Sequence, residues 1–153
     1  MADQVCARGG GMTDFEISVE SVVSAEHRRL IEEGLTRHAL PKTGVPGFQP
    51  VAVLARDHRR TLVGGVVGTI NWNWLHVALV WVSESCRHAG LGRRLMAEIE
   101  RAAVARGCTR AHLDTFSFQA RPFYERLGYR VFGHLDDYPP GQQRFFMEKT
   151  LVR

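Results

Sequence analysis

A chain of 153 residues is long enough for one complete hydrophobic core, and 44% hydrophobic with 24% charged residues excludes a disordered, collagen-like or disulfide-framed protein. The formal charge of +4 rests on basic residues that are almost all arginine, only Lys42 and Lys149 being lysine, and their scatter along the whole chain marks no nucleic-acid surface. No apolar run reaches the roughly 18 residues of a membrane span, because Asn71, Asn73 and His76 interrupt the most hydrophobic stretch, and residues 1–11 lack a secretory signal, so a cytoplasmic protein without membrane contact is expected.

Gly9, Gly10 and Gly11 precede Met12, so residues 1–11 read as a flexible leader or a mis-assigned start and 12–153 as a single domain. Phe15, Ile17 and Val19 alternate with polar residues and predict a short strand. Ser24 is placed to cap a helix that carries Leu30, Ile31, Leu35 and Ala39 on one face and stops at Pro41, followed by a loop over 42–50. Three runs rich in Val, Ile and Trp, at 51–55, 62–70 and 74–82, predict successive antiparallel strands. From Gly90 the period changes. Leu91, Leu95, Met96, Ile99, Ala102 and Ala103 form the stripe of an amphipathic helix ending near Gly107. A strand at 111–116, a short helix near 119–127 ended by Gly128, and strands at 129–133 and 144–151 complete the order. Cys6, Cys86 and Cys108 are widely spaced with no C-x-x-C pair, which fits reduced thiols and no metal site; Cys108 reads as core.

Val80-Trp81-Val82 leads through Ser83 into Arg87-His88-Ala89-Gly90-Leu91-Gly92 and then the amphipathic helix. A strand, a glycine-containing turn and a helix start gather unpaired backbone N–H groups where the helix dipole favours negative charge, a cradle for a pyrophosphate to which Arg87, Arg93 or Arg94 adds charge-assisted hydrogen bonds. An ordinary glycine-capped turn has the same local pattern. The spacing R-x-x-G-x-G lacks the third glycine of a dinucleotide fingerprint and the G-K-[ST] of a P-loop, which removes both.

Further on, the chain reads Ala120-Arg121-Pro122-Phe123-Tyr124-Glu125-Arg126-Leu127-Gly128-Tyr129. R-x-x-G-x-G opening a helix, then a strand, then A-x-x-F-Y-E-x-x-G-Y, resembles the acetyl-coenzyme A signature of the GCN5-related N-acetyltransferase (GNAT) family, with the element order matching from Phe15 to Leu151. The resemblance implies an α/β fold of α+β type: a mixed, mostly antiparallel twisted sheet, flanked by helices and splayed between the strands ending at Val82 and Phe116. It further implies acetyl-coenzyme A as co-substrate, no metal, and direct attack by a primary amine in a ternary complex. By similarity, Trp81, Val82 and Ser83 meet the pantetheine, the N–H groups of His88, Ala89, Gly90, Leu91 and Gly92 hold the pyrophosphate, and Tyr124 protonates the departing thiolate. Ala120 belongs to the same signature, and Ser117 stands where many members carry Asn at the pantetheine edge.

The chemistry also needs a proton acceptor. Glu84, His76, His112 and Asp114 are the candidates, Glu84 foremost because it follows the strand expected to line the acceptor site, each with a purely structural alternative. Cys86 lies near the cradle, yet no paired base marks it as a nucleophile. Acceptor recognition is expected from the first helix, the 42–50 loop, Trp72, Trp74 and Asp136-Asp137-Tyr138, a mixture of acidic and aromatic groups that suits a cationic amine; the tryptophans equally suit packing on the sheet or a homodimer contact. A small-molecule amine is the expected partner, with a protein lysine or N-terminus, or a non-catalytic acyl-coenzyme A-binding module, as alternatives.

Overall fold

The computed structural model describes residues 15–44 and 48–152, so the leader 1–11 and Met12 lie outside it. The chain divides into two units between Thr43 and Gly44. In the first, α1 (Ala25–Thr43) starts as predicted, the Ser24 hydroxyl accepting from the amide of His27 at 3.0 Å. Pro41 does not end it. Proline removes one N–H, but this close to the C-terminus the last carbonyls lack intrahelical partners in any case, and two further residues follow with the Thr43 hydroxyl donating to the Ala39 carbonyl. The strand predicted around Phe15, Ile17 and Val19 does not form, since a two-residue alternation becomes a strand only with a ladder partner and none is present among the described residues.

The second unit is a six-stranded sheet in the order β1-β2-β3-β4-β6-β5, with β1 (Gln49–Arg56), β2 (Leu62–Asn71), β3 (Trp74–Val82), β4 (Arg110–Phe116), β5 (Arg130–Asp136) and β6 (Gln143–Thr150). Every pairing is antiparallel except β3 with β4. That exception follows from the chain: α2 (Leu91–Val104) crosses between them, and a crossover helix returns the next strand parallel. The predicted stripe is the one buried, Leu95, Met96, Ile99 and Ala103 packing over β1, β2 and β3, where each large side chain contributes about 1.5–3 kcal/mol of burial. Cys108 is in the same core, its thiol pushed up by burial. The short α3 (Arg121–Arg126) lies on that face too, with Tyr124 and Phe123 joined to the core. No described helix is long and apolar enough to cross a membrane.

The centre of the sheet is open. β3 and β4 pair over only four rungs, Trp74 with Arg110 through Val77 with Leu113, and then part. The parting coincides with a bulge in β3: Val67 faces Leu79 while its neighbour Gly68 faces Val77, leaving Ala78 without a partner. A Cβ on Gly68 would run into the His76 carbonyl oxygen, so glycine permits the close approach.

Candidate active site

The bulge and the helix after it build the site together. Ser83 N–H donates to Val63 O at 2.9 Å, which makes Val63 and Ser83 a hydrogen-bonded pair; by alternation, the backbone groups of Val82 and Val80 turn away from β2 toward the edge that β4 has left. The Val82 carbonyl accepts from Arg87 Nε at 3.3 Å. A single 3-10 turn, Glu84–Cys86, then leads into the loop before α2, where His88 (φ 64°) and Gly90 (φ 76°) are both left-handed. Such backbone reversals turn successive N–H groups into a concave nest, and α2 has no side-chain cap, so its first amides are available to an anion. Gly92 serves packing as well, since a Cβ there would lie 3.3 Å from the Phe123 ring of α3.

These elements line a cleft of about 1100 Å³. Val82, Arg87, His88, Gly90, Leu91 and Gly92 enter it from the strand end, loop and helix start, and Arg93, Ala120 and Tyr124 complete the predicted residues found there. Trp81, Ser83 and Ala89 are adjacent in the chain but outside the lining: Trp81 lies on the other face of β3 and is half exposed, and the Ser83 amide is engaged by β2. Ser117 is elsewhere, its hydroxyl donating to Gln142 Oε1 at 2.6 Å and accepting from the Gln143 amide, so it ties β4 to the loop before β6. It does not cap α3, whose N-cap is Ala120. Glu84 is also not brought to the cleft; its side chain is 88% exposed and pairs with Arg87 at 3.6 Å.

Arg126 and Lys149 line the cleft without any local sequence signal, and they make its rim positive together with Arg87 and Arg93. Lys149 donates to Glu100 at 2.6 Å and Tyr129 donates to the same carboxylate at 3.0 Å, a network that joins β6, α2 and the start of β5. Tyr124 is buried at 8% exposure with its ring edge-on to Phe123 and Tyr129. Its hydroxyl has no hydrogen-bond partner among the described residues, while no fully buried side-chain polar atom lacks one, so the hydroxyl is open where the ring lines the cleft. Burial first, and the charge of Asp114 second, push the phenol above its ordinary value and keep it a proton donor.

The other face of the sheet carries a second set of groups. Leu75, Val77, Ala111 and Leu113 are buried under the helices, so alternation sends His76, His112 and Asp114 to the opposite side. Asp114 accepts from Arg144 Nε at 2.8 Å, and that guanidinium lies over Phe116, Tyr138 and Phe146. Trp74 packs edge-on to His112 with Arg110 over its ring, whereas Trp72 is half exposed at the hairpin tip. Asp114 and Tyr124 thus flank the gap from its two sides.

The model of the Acetyltransferase (GNAT) family matches residues 22–129. The chain is 44% identical over 117 residues to blasticidin-S acetyltransferase of Streptomyces morookaense, a match covering 74% of this chain and 86% of that protein. A crystal structure of an acetyltransferase from Bacillus cereus superposes with a TM-score of 0.76 at 31% identity, covering 87% of this chain and 97% of that one. An aminoglycoside 6'-N-acetyltransferase, solved with coenzyme A, shares the fold at a TM-score of 0.63 and 20% identity over 82% of this chain and 87% of its own. The chain belongs to the GNAT family of acetyltransferases.

Proposed function

We propose that this acetyltransferase moves the acetyl group of acetyl-coenzyme A to a primary amine of a small molecule, by direct attack in a ternary complex. The observation that carries the reading is that the cleft is lined by Val80 and Val82, on the stretch of β3 that β4 has left, because this gives an elongated anionic thioester one binding path and leaves the opposite face for the amine. The nest over 88–92, with Arg87 and Arg93, would hold the pyrophosphate. The edge of Val80 and Val82 would pair with the pantetheine amides, and Tyr124 would return a proton to the sulfur as it leaves. Similarity to a blasticidin-S acetyltransferase over three quarters of the chain favours a small acceptor over a protein.

The test is thiol release from acetyl-coenzyme A with blasticidin S, aminoglycosides, polyamines and lysine peptides in parallel. Turnover with a small amine at a kcat/KM at least tenfold above any peptide is expected. Release with peptides alone would overturn the acceptor assignment, and tight coenzyme binding with no release in any arm would favour a binding module.

A further inference from the structure

We propose that the stacked imidazoles of His76 and His112 are the proton-accepting station of the transfer, with His112 taking a proton from the acceptor's ammonium on the sheet face opposite the cradle. This rests on acetyl transfer to an amine and places the base on the sheet face expected to receive that amine.

His76 and His112 face each other one rung before β3 and β4 part, so their rings stand at the base of the gap. The rings stack at 4.6 Å between centroids with 11° between planes, and Trp74 closes one side. Both are half-buried, and neither ring makes a hydrogen bond with a described residue; because no fully buried side-chain polar atom lacks a partner, their nitrogens are open to solvent. A histidine kept for structure in such a position is normally held through those nitrogens. Here they are left for another partner.

The surroundings of His112 favour its neutral form. Burial foremost, and the neighbouring ring of His76 second, hold His112 below the ordinary histidine value, with Asp114 opposing them. Glu148 on β6 lies in register with His112, but Arg130 of β5 binds it at 2.6 Å and Arg110 of β4 at 3.7 Å. Asp114 is likewise engaged by Arg144 of β6 at 2.8 Å, so both carboxylates nearest the pair carry an arginine partner. The balance is complete. The ammonium gives one proton to His112 and on to solvent, the amine lone pair forms the C–N bond as the thioester C–S bond breaks, and the second proton shed at nitrogen matches the one the thiolate gains from Tyr124.

The experiment is the pH dependence of kcat/KM for the wild type, His112→Gln and His76→Gln, with whichever of blasticidin S or a lysine peptide releases thiol, alongside coenzyme A affinity by calorimetry. His112→Gln should lower kcat/KM about 100-fold and flatten the acidic limb, with coenzyme affinity within twofold. His76→Gln should move that limb to higher pH, since removing the neighbouring ring lets His112 protonate more readily. An unchanged limb with less than threefold loss in His112→Gln would overturn the proposal, whereas a peptide-only response would overturn the small-molecule reading and leave the proton role standing. If neither acceptor responds, NMR titration of the wild-type imidazoles decides: His112 must titrate below an ordinary histidine and rise in His76→Gln, and failure of either overturns the coupling.

Discussion

Single side chains separate binding from chemistry in the cleft. Tyr124 is reached by burial, ring contacts and an open hydroxyl, and Phe preserves all but the last. Tyr124→Phe should therefore lower kcat by about 10²–10⁴ while the coenzyme A dissociation constant stays within twofold. Because the folded phenol sits above its ordinary value, it remains protonated through neutral pH, and the wild-type rate profile should show no alkaline limb from it below about pH 10. A limb near pH 8 that disappears in Tyr124→Phe would overturn the raised phenol, and an unchanged kcat in that variant would remove its role as donor. At this scale the sequence was most informative where a motif is local: Tyr124, Gly90 and Gly92 lie in short signatures, and all three line the cleft. Glu84 lies outside the cleft because proximity in the chain says nothing of direction, its side chain being 88% exposed beside Arg87 in the 3-10 turn. Lys149 and Glu100 were illegible for the opposite reason, since 49 positions separate two side chains that meet at 2.6 Å.

At the level of elements, the loop into α2 and the bulge in β3 make different demands on their glycines. Gly90 has open space around its Cβ position but a φ of 76°, so Gly90→Val should cost about 1–2 kcal/mol from the left-handed backbone, leave the sheet intact and weaken coenzyme A binding at least tenfold. Equal affinity in a folded variant would remove the nest from the binding site. Gly68 faces the converse problem, because a methyl group there meets a backbone oxygen that cannot swing aside; Gly68→Ala should lower stability by about 1–3 kcal/mol in a denaturant titration. Strand and helix positions were legible because hydrophobic period alone marks them, and β3 spans the residues predicted for it. The strand expected at Phe15 had the right period and no partner among the described residues, which no local pattern reveals. The bulge was missed too, although an isolated glycine inside a Val-rich run is the signal for one.

For the whole molecule, the network of Tyr129, Glu100 and Lys149 links the residue before β5 with α2 and β6 at the wall of the cleft and sets a limit on alkaline stability. Burial, followed by the charge and hydrogen bond of Glu100, raises the Tyr129 phenol far above its ordinary value of 10.0. A group whose folded value is raised stabilises fully below its unfolded value, and the contribution falls away as pH climbs from there toward the folded one. Unfolding midpoints should thus decline from about pH 10 upward, and Tyr129→Phe should flatten that decline while being less stable at pH 7. A parallel decline in both proteins would assign the alkaline loss elsewhere.

Ala78, the residue that the β2–β3 ladder skips, changes what β3 is. Before it, Leu75 and Val77 face the helices; after it, Val80 and Val82 do, an even count replacing an odd one. The strand is two half-strands out of phase, joined at one supernumerary position. Were Ala78 paired in the ladder like its neighbours, strict alternation would turn Trp81 inward and Val80 and Val82 outward, so that an indole would stand where the thioester is expected to enter. The lining of this cleft is thus a matter of counting: the one alanine that the ladder skips keeps two valines, and not an indole, on the cleft side.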